Sequence, residues 1–182
     1  MRPSKIVAQF ECSKNQVPSP LFRVRYSGNQ SLKARSKPTF KSASDFKTAV
    51  ELHLQWCSCE PTPFVSVFAD KEHATKWAQR LLEHGYHDVV LLELDSSKLG
   101  ALFNVRELVV RQEIETSLAE YLYEDEFLVL REIPKASIIS TLPVNCCQTG
   151  VDYESSDSSE EEIDTRLSRY LKALDLEYER RP

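Results

Sequence analysis

Four short apolar stretches, separated by polar segments, constrain the fold of this chain more than any other feature. They read LFRVRY, TPFVSVF, DVVLLELD and EFLVL. LFRVRY alternates apolar and polar positions, which is typical of a strand with one buried face, whereas DVVLLELD is apolar on both faces, as in a central strand. We therefore expect four strands here, the first starting at Leu21, and a further strand at ASIIS after Pro134.

Two segments between these strands have the apolar period of helices. The first follows Ser44, a predicted N-cap, and ends before Pro61. The second follows Asp70, also a predicted N-cap, and ends at Gly85. The shorter segment LFNVRELVV comes next, and the residues between Val110 and Tyr123 predict a loop or a short helix.

Composition bounds the class of protein. The chain has 182 residues, 41% of them hydrophobic, which is enough for one domain with a sizeable core. A net charge of −5 gives no basic surface for phosphate backbones, so no nucleic-acid partner is expected. No run approaches the roughly 20 apolar residues that cross a bilayer, and the first residues do not resemble a signal peptide. We expect no membrane partner and a cytoplasmic location, in which the five cysteines are free thiols.

The order of these segments predicts four regions. Residues 1–20 are polar, rich in Pro and Ser, and expected to be a flexible N-terminal segment, followed by a folded domain over residues 21–142. Residues 143–162 contain ESSDSSEEE, an acidic linker that cannot bury apolar surface and whose serines resemble acidophilic kinase sites. Residues 163–182 predict an amphipathic helix that docks on this domain or on a partner.

The stretch YEDEFLVL places two carboxylates, Glu124 and Glu126, at the entrance of an apolar strand. Residues i and i+2 of a strand point to the same side, so both glutamates are expected to share a face with Leu128 and Leu130. Burying them without a partner would cost several kcal/mol. Either the two glutamates are exposed to solvent at the end of the strand, or they face a cleft in which a partner group interacts with their carboxylates.

The order of these motifs resembles that of mono-ADP-ribosyltransferases of the cholera-toxin-like type, whose signature is an Arg, a Ser and a Glu-x-Glu on successive strands. The resemblance spans about two thirds of the chain, residues 21–139. LFRVRYS resembles the first strand of the family, with Arg23 as its arginine, and FVSVF resembles the Ser-Thr-Ser strand, with Ser66 as its first serine. LFNV and EDEFLVLREIP are similar to the later motifs, with Glu126 in the catalytic position and Glu124 in the accessory one.

This resemblance implies an α+β fold with an ADP-ribosyltransferase-like core of two packed antiparallel sheets and flanking helices. It implies NAD as the substrate, with Arg23 holding the diphosphate and Ser66 orienting Glu126 or the ribose. Glu126 would stabilise the oxocarbenium-like ribose that forms as nicotinamide leaves. Glu124 would accept a proton from the acceptor, which implies transfer of ADP-ribose to an arginine side chain of a protein.

Two other functions remain open from the sequence. The second and third residues of the Ser-Thr-Ser motif are replaced by Val67 and Phe68, so the domain could be a catalytically inactive binding module. Alternatively, water could replace the acceptor in an NAD glycohydrolase. The four glycines form no phosphate loop, which excludes a Rossmann or P-loop cofactor site.

The spacing of one histidine and several cysteines raises the question of a metal site. His53 and Cys57 are four residues apart on one helix face, near Cys59, and Cys146 or Cys147 could complete a zinc site. Small thiols and a partly buried histidine are the simpler interpretation, because no second ligand pair has regular spacing. No metal is therefore predicted.

Overall fold

A computed structural model describes residues 5–55 and 60–145. Its strands form one antiparallel sheet of six strands in the order β4-β5-β2-β1-β3-β6. All five strand pairs are antiparallel, and the chain therefore folds as an α+β domain. The strand bounds are β1 Leu21–Arg25, β2 Phe64–Phe68, β3 Val90–Leu94, β4 Leu102–Asn104, β5 Glu126–Leu130 and β6 Ile138–Pro143.

Five of these strands agree with the sequence pattern, whereas β4 lies in LFNVRELVV, where no strand is predicted. Their arrangement differs from the expected pair of sheets. Within the described ranges every strand belongs to the one sheet. Its two halves meet only weakly, because β1 and β2 share a single registered pair, Phe22↔Phe68, whereas β1 and β3 share five. The two-sheet prediction is wrong for this part of the chain, since that single pair joins the halves.

Four α-helices flank the sheet in the described residues, and local capping explains where the two longest begin. The helices are α1 Lys5–Phe10, α2 Ala43–Leu54, α3 Lys71–Glu83 and α4 Val105–Gln112. Ser42, not the predicted Ser44, caps α2, because Ser42 and Asp45 form a reciprocal capping box. Asp70 caps α3 as predicted, by accepting a hydrogen bond from the Glu72 N–H at 2.8 Å.

Both faces of the sheet are buried. On one face, α1, α2 and α4 pack with Phe64, Phe103 and Leu128, and α3 packs beside them over Phe22 and Val24. The other face is covered by loop residues that pack against a cluster of fully buried aliphatic side chains, among them Leu21, Val65, Val67, Leu92, Leu94 and Val129. Burial on both faces explains why these strands read as nearly continuous apolar runs.

Residues 5–20 belong to the folded domain, so the flexible segment predicted before Leu21 is wrong for these residues. Val7 and Phe10 of α1 are buried. The Phe10 ring stacks on Phe46 with centroids 4.3 Å apart and planes 1° apart. Six residues show too little of an apolar period for the sequence to indicate this helix.

The domain also continues past its predicted end at Leu142. Pro143 is the last residue of β6, and the Val144 N–H donates to the Val89 carbonyl at 2.9 Å. From Cys146 onward the chain lies outside the described residues, and so do most of the predicted linker at 143–162 and the whole predicted helix at 163–182.

Candidate functional site

A cavity of about 900 Å³ lies where β1 and β2 separate. Beyond the Phe22↔Phe68 pair these strands no longer pair, and side chains from both line the wedge between them. Residues of the 26–35 loop, the end of α2, and α3 complete its walls. The volume falls within the range of about 300–1,000 Å³ typical of small-molecule and cofactor sites.

Three of the four predicted site residues line this cavity. Arg23, Ser66 and Glu126 come from β1, β2 and β5, which are adjacent in the sheet. Arg23 is buried, with 9% of its surface exposed, and its Nη1 donates to the Ser66 carbonyl oxygen at 3.1 Å. The guanidinium thus bridges the gap where the β1–β2 ladder is interrupted.

Ser66 belongs to a chain of polar side chains that reaches Glu126. His53 of α2 lies between two hydroxyls, with Nδ1 at 2.5 Å from Thr62 Oγ1 and Nε2 at 2.9 Å from Ser66 Oγ. Ser66 in turn hydrogen-bonds Glu126. All three bonds are satisfied when Thr62 donates to Nδ1, Nε2–H donates to Ser66, and Ser66 donates to the carboxylate. In this arrangement His53 is neutral, and the hydrogen bond from Ser66 stabilises the ionised form of Glu126.

The protein environment lowers the pKa of His53 and raises the pKa of Glu126. Burial of the ring, together with the positive charges of Arg23 and Arg35, lowers the pKa of His53 to about 3. Burial raises the pKa of Glu126 to about 7, helped by the Asp125 charge and opposed by the Ser66 hydrogen bond, His73 and Arg23. A buried carboxyl group that titrates near neutral pH in a cavity is characteristic of a functional site.

Glu124 does not reach this cavity. The prediction that Glu124 and Glu126 share one face of a strand is wrong, because β5 begins at Glu126 and Glu124 lies in the turn before it. Glu124 is exposed, it is absent from the cavity walls, and its backbone N–H donates to the Glu120 carbonyl at 2.9 Å. The accessory role implied for this residue has no geometric support.

The residue between the two glutamates occupies a more enclosed position. Asp125 Oδ1 lies 2.6 Å from His73 Nδ1, and its Oδ2 accepts the Asp70 N–H at 3.0 Å. His73 lines the cavity beside Glu126. The sequence pattern did not predict the pair, because 52 residues separate the partners and only the N-terminus of α3 brings them together. The one available signal was His73 in the first turn of a helix that follows a strand with a candidate serine.

The replaced positions of the Ser-Thr-Ser motif differ in their surroundings. Val67 is fully buried in the aliphatic cluster on the other face of the sheet. Phe68 lines the cavity, and its ring lies 4.9 Å from the His73 ring. The cavity therefore has an aromatic side chain at a position where the Ser-Thr-Ser motif of ADP-ribosyltransferases has a hydroxyl.

The described residues provide no cluster of three or more His, Cys, Asp or Glu side chains suited to a metal ion. Cys57, Cys59, Cys146 and Cys147, which a zinc site with His53 would require, lie outside them. His53 is instead held by two hydroxyl groups.

None of the helices in the described part is both long and apolar enough to span a bilayer.

Comparison with protein families identifies the family of this chain. Residues 11–147, about three quarters of the chain, match the family model described as Domain of unknown function (DUF7587). A search of curated proteins gave no match. The matched range contains all six strands and every residue of the cavity named above. The chain is therefore a member of the DUF7587 family.

Proposed function

We propose that this domain is an NAD-dependent mono-ADP-ribosyltransferase that transfers ADP-ribose to a side chain of another protein. The observation that carries the proposal is the convergence of Arg23, Ser66 and Glu126, from three adjacent strands, on one cavity. A guanidinium, a hydroxyl and an acid in that strand order are what the resemblance to ADP-ribosyltransferases requires. We include in the proposal a relation to the ADP-ribosyltransferase fold in which the two halves of the β core are joined into one sheet, since β1 and β2 share the single registered pair Phe22↔Phe68.

The side chains suit the chemistry of NAD cleavage. The planar guanidinium of Arg23 offers several N–H donors for diphosphate oxygens in a buried site, where a charged hydrogen bond is strong. Glu126, when ionised, would stabilise the positive charge that develops on the ribose as the C1′–N bond breaks and its electron pair passes to nicotinamide. Ser66 orients that carboxylate through its hydrogen bond.

The polar side chains linked to Ser66 could replace the hydroxyls that this chain lacks relative to the Ser-Thr-Ser motif of ADP-ribosyltransferases. Val67 and Phe68 cannot hydrogen-bond the glutamate, but His53 and Thr62 extend from Ser66 in their place. This support favours an active enzyme over an inactive binding module. The arginine acceptor implied by the resemblance depended on Glu124, and its position outside the cavity removes that support.

The test is release of nicotinamide from NAD by the full chain, with and without a protein extract as the source of acceptors. We expect release that increases with the extract, together with labelling of protein from NAD that carries a label in its adenylate phosphate. The Glu126→Gln variant should lower release by at least about 100-fold, as expected for loss of a charge that stabilises a transition state. Release without any protein labelling would identify a glycohydrolase. No release under any condition would overturn the proposal and favour the inactive module.

A further inference from the structure

The His73–Asp125 pair forms a second polar arrangement on the cavity wall, separate from the Thr62–His53–Ser66 chain. His73 Nδ1 and Asp125 Oδ1 are 2.6 Å apart, and their side chains are only 24% and 15% exposed. The Asp70 N–H at 3.0 Å holds the other Asp125 oxygen. The carboxylate is thus fixed at both oxygens, and it fixes the imidazole in turn.

The orientation of this pair leaves one ring nitrogen for a bound molecule. With Nδ1–H donated to Asp125, the other nitrogen, Nε2, has its lone pair available for a proton. The ring packs against Phe68 and shares the cavity wall with Glu126. The residue that orients His73 directly precedes Glu126 in the chain, so the imidazole and the Glu126 carboxyl group are held in a fixed relation.

Three acidic groups, Asp125, Glu126 and Asp70, act on His73. Burial alone would lower the pKa of His73, but the hydrogen bond and charge of Asp125, together with Glu126 and Asp70, raise it above its ordinary value. A raised pKa makes the neutral imidazole a stronger base, which suits it to accept a proton.

We infer that His73, oriented by Asp125, is the base that takes the proton from the acceptor, and that the acceptor is a hydroxyl group and not a guanidinium. The inference rests on the proposed function. A hydroxyl is a weak nucleophile whose proton becomes strongly acidic as its oxygen bonds to carbon, so an imidazole can remove it. A guanidinium stays protonated across the whole physiological pH range, so an imidazole cannot remove its proton. The glutamate expected to hold it, Glu124, lies outside the cavity.

The step balances without a further reactant. The hydroxyl oxygen forms a bond to C1′ of the ribose, and the C1′–N bond to nicotinamide breaks. The electron pair of that bond neutralises the pyridinium, and neutral nicotinamide leaves. The hydroxyl proton passes to Nε2 of His73, which later loses it to water. Glu126 remains ionised throughout and stabilises the charge on the ribose.

The experiment offers the full chain three acceptors with NAD: water alone, methanol, and agmatine as a guanidine. Chromatography separates ADP-ribose, its methyl glycoside and the agmatine adduct. We expect the first two products and little of the third. His73→Asn, which can keep the donor to Asp125 but lacks Nε2, should lower release of nicotinamide about 100-fold. It should also change the acid limb of the pH–rate profile from a two-proton to a one-proton dependence.

His84→Asn is the matched control. His84 caps the C-terminus of α3, its Nδ1 contacts the Arg80 carbonyl, and it does not line the cavity. This variant should keep the wild-type rate and profile. Asp125→Asn supplies a second test if His73→Asn folds poorly, and it should lower the rate about tenfold while binding of NAD persists.

The outcomes separate this inference from the proposed function. Agmatine adduct as the main product, or a His73→Asn rate within twofold of wild type with an unchanged profile, would overturn the role of His73 while cleavage of NAD stands. Release that ceases in Glu126→Gln but persists at the wild-type rate in His73→Asn would likewise remove His73 from this role. A wild-type chain that releases no nicotinamide with any acceptor would overturn both.

Discussion

Glu126 shows how a single residue ties stability to function. It is 6% exposed, and burial raises its pKa from an ordinary value near 4.5 to about 7. Between these values the folded chain holds a proton that the unfolded chain has lost. Stability therefore falls as the pH rises from about 4.5 to about 7, and above that range the folded state carries a cost on the order of 3 kcal/mol.

We predict that Glu126→Gln stabilises the protein at pH 8 by up to this order of magnitude, because the neutral amide avoids burial of a charge. At pH 5 most of the difference should disappear, since Glu126 is then protonated in the folded state. Urea unfolding at both pH values measures the effect. Glu124→Gln is the matched control, and no such gain is expected because Glu124 is exposed. Equal effects of both variants at both pH values would contradict the buried position of Glu126.

His53 is the second residue with a consequence that can be measured. His53→Asn can keep the bond to Thr62 but cannot reach Ser66, whereas His53→Gln can reach Ser66. We predict that His53→Asn slows release of nicotinamide about tenfold, the equivalent of one net hydrogen bond. The acid limb of the pH–rate profile of His53→Asn should move to higher pH. Without the bond from His53, Ser66 is less well oriented and stabilises the Glu126 carboxylate less. Identical pH–rate profiles for the wild type and both variants would show that His53 does not act through Ser66.

At the scale of elements, α1 is the part of the domain that the sequence conceals. Phe10 is 7% exposed and stacks on Phe46, a fully buried residue of α2. We predict that Phe10→Ala lowers the free energy of unfolding by about 3 kcal/mol, as expected for truncation of a buried aromatic residue. Urea unfolding provides the measurement, with truncation of the exposed Val110 as a control. A loss below about 1 kcal/mol would mean that α1 does not pack on the core as described.

The strands and longer helices could be predicted from the sequence because their signals are local. LFRVRY, FVSVF, VLLEL and EFLVL have the composition of strands, and Asp70 caps α3 where its position indicates. The weak junction between β1 and β2 could not be predicted, because pairing depends on long-range register. The same limit applies to the site. Candidate residues were visible one by one, whereas the contact between His73 and Asp125 depends on the docking of α3 against the turn before β5.

Glu124 illustrates the opposite error, in which the sequence pattern predicts a strand position for a residue that lies outside the strand. Alternation in a strand places i and i+2 on one face only if both residues lie in that strand. The turn that precedes β5 instead directs Asp125 toward α3 and leaves Glu124 in solvent. The start of a strand is set by its pairing partner, here Phe68 opposite Glu126, which the local sequence does not reveal.

At the scale of the whole molecule, the interrupted sheet explains the site. A continuous ladder between β1 and β2 would leave no room for a ligand. Their single registered pair opens a wedge of about 900 Å³ in which buried polar side chains from both halves of the sheet meet. The polar chain runs from Thr62, just before β2, through His53 of α2 and Ser66 of β2 to Glu126 of β5, and it lines this opening.

The most direct test is a crystal structure of the Glu126→Gln variant with NAD, since this variant should bind the dinucleotide without cleaving it. We expect the diphosphate to contact Arg23 and the nicotinamide ribose to lie between Ser66 and residue 126, with His73 facing C1′. Dinucleotide bound elsewhere on the domain, or a cavity that stays without NAD at millimolar concentration, would contradict the proposed site.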